Sequence, residues 1–191
     1  MTPTPAERLE AQLREWADRG LKVVDGLQLR GVIDLNYVLE HGKRFSGRVP
    51  SIKYQPRIDT YFRERVELGA CFGNAGLAAL FGVKEGIEYW EGYVFFGTWK
   101  LKDGGTLISP VEHAWNVIDG NVVDFTAEAV DAEVIRTLGK LKHRNPADCG
   151  YFGVRIPVDM LKGSRNLKKI RQPKLPTVQH IALEDNEKHM R

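Results

Sequence analysis

Three residues have the types and chain order of a thiol-based catalytic apparatus: Cys71 in GACFGNA, His113 in HAWNV and Asp124 in VVDFT. A cysteine attacks a carbonyl as its thiolate, a form favoured by a neighbouring imidazole and by the N-terminus of a helix. The imidazole in turn works best when a carboxylate holds one ring nitrogen and leaves the other free. The elements around these residues must therefore bring sulfur, ring and carboxylate together.

The stretch ELGACFGNAGLAALFG predicts a helix entered through Gly69–Ala70 and closed by Gly82, with Cys71 in its first turn. Ala75, Gly76, Ala78 and Ala79 give it a face that can lie close to its cover. Gly73 and Gly76 would each cost about 1 kcal/mol relative to alanine in an exposed helix, so close contact must repay them.

His113 and Asp124 flank Asp119-Gly120, the preferred pair for a two-residue type I′ hairpin. With that pair as the loop, Ile118 faces Asn121, Val117 faces Val122, Trp115 faces Asp124 and His113 faces Thr126. Alternation then projects His113, Trp115, Asp124 and Thr126 from one face, while Asn116 falls on the other as a structural residue. Asp124 becomes the diagonal neighbour of His113, about 7 Å away between backbones and within side-chain reach. A slip of one residue would turn Asp124 to the opposite face. Alone, such a pair reads as the wet face of an antiparallel hairpin. A cysteine at a helix start makes the combination much rarer.

Residues 4–19 read as an amphipathic helix with Leu9, Leu13 and Trp16 on one stripe and Gly20 as its stop. Val23–Ile33 reads as a short strand or loop, Lys43–Arg57 as a Gly-, Pro- and base-rich loop, and Ile58–Val66 as one or two helical turns. IEYWEGYVFFGTWKL has strand composition and ends in a turn at Asp103-Gly104-Gly105. Within it, Glu91 reads as an exposed strand residue, or less commonly as one lining a cleft, and Gly92 as a bulge or a close backbone approach. TLISP, EHAWNVI and NVVDFT continue as strands, residues 131–141 as a helix, and Tyr151–Ile156 as a strand before a helical turn opened by Pro157. The expected organisation is one α+β domain over 1–161, with a helical and loop region 1–66 and a catalytic core 67–127. A basic extension, 162–191, follows.

A chain of 191 residues, 42% hydrophobic and 28% charged, can bury a core without metals or disulfides. The start, MTPTPAERLEAQLREW, is polar, and no run is long enough to span a bilayer, so a cytoplasmic setting without a membrane partner is expected. Cys71 and Cys149 fit that setting as free thiols. A zinc site from Cys71, His113, His143 and Cys149 would lack the short ligand spacing of structural zinc, so neither metal nor cofactor is expected. A net charge of +3 does not by itself indicate nucleic-acid binding. Lys162, Arg165, Lys168, Lys169, Arg171 and Lys174, with Lys43, Arg44, Arg48, Lys53 and Arg57, could meet an anionic partner, although solvated basic segments are commoner. The C-terminal run lacks interleaved aromatics, which argues against a stacking platform for single strands.

The phrase HAW, a few residues, a turn and VVD-x-T resembles the transglutaminase-like branch of the papain-type cysteine enzymes. Around Cys71 the chain also resembles arylamine N-acetyltransferases, which carry an Asn three residues after the Cys, as Asn74 is here. The likeness covers roughly residues 65 to 127. It implies a papain/transglutaminase-like core, in which a Cys-bearing helix packs on an antiparallel sheet. It also implies a Cys71–His113–Asp124 triad acting on an amide, ester or thioester, with protein or peptide substrates included. Water as acceptor would make a hydrolase or deamidase, and an amine an acyltransferase. Papain-type proteases place a Gln shortly before the Cys, whereas RERVELGA has neither Gln nor Asn. The backbone amide of Cys71 then supplies one oxyanion donor, with Asn74 and Trp90 as candidates for the second and Trp115 as a shield for the ion pair or a core residue. The alternative is a non-enzymatic binder that uses the basic surface of such a scaffold.

Overall fold

A computed structural model describes residues 2–19, 33–54, 66–82, 85–97, 99–100, 106–107, 110–138 and 145–162. The first helix, α1 (Pro5–Asp18), begins at a capping box: Thr4 accepts from the Glu7 amide while the Glu7 carboxylate accepts from the Thr4 amide at 2.7 Å. Leu9 and Leu13 are buried and Trp16 packs beside them, so the expected stripe faces the core. A short α2 (Leu35–His41), capped by Asp34, follows.

Seven strands come next in chain order with their helices. They are β1 (Lys43–Ser46), then α3 (Cys71–Phe81), β2 (Glu88–Phe95), β3 (Trp99–Lys100) and β4 (Thr106–Leu107), then β5 (Val111–Ile118), β6 (Asn121–Val123), α4 (Phe125–Leu138), β7 (Gly150–Ile156) and α5 (Val158–Lys162). Five of the strands form an antiparallel sheet in the order β1-β7-β2-β5-β6, and β3 pairs with β4 separately. Helices on an antiparallel sheet make the class α+β. The sheet curls, so that Val49, just past β1, donates its amide to Val122 on β6 at 2.9 Å.

Each face of the sheet carries its own apolar cluster. Ala114 and Ile118 of β5 join Tyr89, Tyr93, Val154 and Ile156 under α1 and α3, against Ala75, Ala78 and Ala79. The helix α3 lies against β5, but the expected close contact does not explain Gly76: a Cβ there would come no nearer than 4.0 Å to Tyr89, which leaves room for a side chain. Asn116 sits on the same side, fully buried, and donates to Ala75 O at 2.9 Å and Glu88 O at 3.0 Å. Trp90, Val94, Trp115, Val117, Val122 and Tyr151 form the second cluster with Phe45 and Cys149.

The hairpin closes through Asp119 and Gly120, both at positive φ (51° and 77°), with Ile118 opposite Asn121 and Val117 opposite Val122. The ladder stops one pair later, at Asn116 opposite Val123. Asp124 is no strand residue: its carbonyl accepts from Glu128 N at 3.0 Å and its carboxylate from Ala127 N at 2.9 Å, so it caps α4. The helix expected over 131–141 begins earlier, at Phe125, because that cap starts it. Thr126 accordingly lies on α4 and not opposite His113.

Two further expectations change, and an alternative left open at Gly92 is decided. The loop expected over Lys43–Arg57 contains β1 and a 3-10 turn, Ser51–Tyr54. Its hold is non-local: Arg48 pairs with Asp131, Ser51 Oγ donates to Glu128 at 2.6 Å, and Tyr54 OH donates to Ile118 O at 3.1 Å. Glu91 is buried, not exposed, and accepts from Tyr89 OH at 2.7 Å. Gly92 pairs with Gly153 in an unbroken register, and a Cβ on Gly92 would lie 2.3 Å from Phe152 O, so close backbone approach and not a bulge explains it. Gly20, most of Val23–Ile33 and of Ile58–Val66, the Asp103-Gly104-Gly105 turn, Arg57, His143 and residues 163–191 lie outside the described residues. Among the described residues no helix is long and apolar enough to cross a membrane.

Candidate active site

Cys71 opens α3, half-buried, with Ala70 before it offering no side-chain cap to the first turn. The leading amides of α3 are therefore left with their positive dipole end beside the sulfur. The turn before the helix is held by Asn74, which accepts from Glu67 N at 3.1 Å and donates to Glu67 O at 2.7 Å. Asn74 Nδ2 also donates to Thr126 Oγ1 at 2.8 Å, which fastens the start of α3 to the start of α4.

His113 and Asp124 meet directly. His113 Nε2 and Asp124 Oδ2 are 2.8 Å apart, with both side chains almost completely buried. Nδ1 is then the ring nitrogen left for a second partner. Burial by itself would depress the His113 pKa, but the Asp124 carboxylate and then the charge and hydrogen bonding of Cys71 reverse this and hold it up at about 10. Asp124 moves the opposite way: burial would raise its pKa, and His113, the Ala127 amide and the Tyr151 hydroxyl together hold it below the usual value. Phe96 and His113 form a T-shaped ring pair with centroids 5.4 Å apart.

His113 and Asp124 thus meet, and Cys71 lies near enough to act on the imidazole, where the starts of α3 and α4 are joined through Asn74 and Thr126. The other candidates do not join them as expected. Both amide hydrogens of Asn74 are engaged, and Trp90 Nε1 donates to Glu88 at 2.9 Å, so neither is free to stabilise an oxyanion. Trp115 packs on Tyr151 at 5.2 Å, as a core residue, and its buried Nε1 has no partner. Among the described residues no cluster of His, Cys, Asp and Glu is arranged to hold a metal ion.

Two residues that the sequence did not place at the site bear on it. Tyr151 donates its hydroxyl to Asp124 Oδ2 at 2.9 Å. Arg48, paired with Asp131 of α4, lies near enough to act electrostatically on Tyr151 and Asp124. Only the alternation of β7 bears on where Tyr151 lies, and no local signal marked its contact with Asp124, which is 27 residues away in sequence. Of the expected basic loop, Arg44 is paired with Glu10 and Arg48 is buried, which reduces its free charge.

The chain matches no protein-family model, no curated protein and no solved structure.

Proposed function

We propose that this protein is a cysteine-dependent acyl-transfer enzyme, built on a transglutaminase-like core and using Cys71, His113 and Asp124. The reading rests above all on the buried 2.8 Å contact between His113 and Asp124, with Cys71 acting on the same ring from the start of α3. A buried imidazolium that a carboxylate keeps charged at neutral pH can stabilise a thiolate and later deliver a proton.

In the first step the Cys71 thiolate attacks the carbonyl carbon of an amide, ester or thioester, forming the C–S bond. The oxyanion gathers at the uncapped amides that open α3. His113 then passes its proton to the leaving amine, alcohol or thiol as the bond to it breaks, leaving an acyl-enzyme. Water or an amine attacks this thioester, His113 takes the proton, and the sulfur leaves as thiolate. Throughout, Asp124 keeps Nε2 occupied and the ring aimed. Water as acceptor makes the reaction a hydrolysis or deamidation, and an amine makes it a transfer.

Alkylation with iodoacetamide at neutral pH tests this reading. Cys71 is expected to react far faster than Cys149, and His113→Ala to remove the difference. Equal rates at the two cysteines in the wild-type protein would overturn the proposal.

A further inference from the structure

We propose that Tyr151 is a positioning residue for the catalytic carboxylate, its hydroxyl anchoring the same Asp124 oxygen that holds His113. The functional meaning of this inference rests on the triad reading, but the geometry beneath it does not. Asp124 Oδ2 accepts from His113 Nε2 at 2.8 Å and from Tyr151 OH at 2.9 Å, while Oδ1 accepts from Ala127 N at 2.9 Å. The carboxylate is 1% exposed, so protein donors and not bulk water must satisfy it. Its three donors come from three elements, β5, β7 and α4, and together they fix both its plane and its rotation.

The hydroxyl is well placed for the task. Tyr151 is fully buried, and its ring packs against Trp115. Burial and the adjacent carboxylate push its own pKa well above the ordinary value, so it remains a donor at every pH at which the site works. The other ionisable groups around Asp124 are His113 on β5, Arg48 after β1, Asp131 on α4 and Cys149 before β7, with Cys71 beyond the imidazole. Arg48 already has Asp131 as its counter-ion. Tyr151 is thus the neutral donor that stabilises the charge of Asp124 without competing for the imidazolium as a second ion would.

The test follows the His113 Nε2–H proton by NMR in the wild-type protein and in Tyr151→Phe, each with and without Cys71→Ala. The phenylalanine keeps the ring packing and removes only the hydroxyl. As pH falls, the signal changes when Asp124 is protonated. Losing one hydrogen bond to the charged form should move that transition up by about one pH unit. At pH 7 the Nε2–H resonance should also move, because Oδ2 then accepts from a single side chain. As a second variant, 3-fluorotyrosine placed at position 151 alone makes a stronger donor and should shift the acid transition downwards. An acid transition and a resonance unchanged in Tyr151→Phe, or a fluorotyrosine shift of the wrong sign, would overturn the inference. The effect should persist with Cys71→Ala, so failure of the thiol chemistry and failure of the Tyr151 anchor give different results.

Discussion

Cys71 and Cys149 are both unpaired thiols, yet their surroundings could hardly differ more. Cys71 is half-buried at the first residue of a helix, beside an imidazole held by a buried carboxylate. Cys149 is sealed in the second apolar cluster, its thiol 3.8 Å from Asn145 O, and burial raises its pKa despite the nearby Arg48. On the function proposed above, the contrast separates a nucleophilic cysteine from a small hydrophobe by position alone.

The sharpest way to break this comparison is Cys71→Ala, which should lower acyl transfer by at least about 10³-fold while circular dichroism stays native. Substrate turnover at the wild-type rate in that variant would abolish the contrast. Asp124→Asn comes next, with a loss of about 10²- to 10⁴-fold in kcat/KM, because the amide cannot hold an imidazolium and favours the wrong ring tautomer. Its oxygen can still cap α4, so the melting temperature should fall less than in Asp124→Ala.

Asn74→Ala sharpens the comparison, since it loosens the turn before Cys71 and leaves Cys149 untouched. About 1–3 kcal/mol of stability should be lost on denaturant unfolding, together with a smaller loss of Cys71 reactivity. Stability should also depend on pH through His113. Its folded pKa, about 10, lies above the ordinary 6.5, so its contribution is complete below 6.5 and disappears as pH rises towards 10. Asp124, depressed from 3.8, contributes above that value and loses its contribution as pH falls through its lower folded pKa. The urea midpoint should therefore fall between pH 6.5 and 10, and His113→Gln should remove that slope. The smallest effect is expected from Cys149→Ala: about 1 kcal/mol of stability from the lost sulfur, with the activity and the alkaline slope retained.

Much of the site was legible in the sequence for a local reason. An Asp-Gly pair dictates a two-residue turn, and that turn sets the register that brings Asp124 near His113. The helix of small residues likewise begins where its glycine entry and its composition place it, at Cys71. The expected strand through Thr126 was too long because the capping bonds of Asp124 compete with the ladder and divert the chain into α4. Lys43–Ser46 read as a loop because its pairing partner, β7, lies more than a hundred residues further along the chain.

By itself, then, the sequence determined the residue types, the turn that aligns His113 with Asp124 and the helix that begins at Cys71, all consequences of short-range geometry. Only the tertiary structure decided which donors remain free. Asn74 is engaged by Glu67 and Thr126, Trp90 by Glu88, and Asp124 gains Tyr151. A buried polar group takes whichever partner the folded chain brings within about 3 Å, and most such partners are distant in sequence.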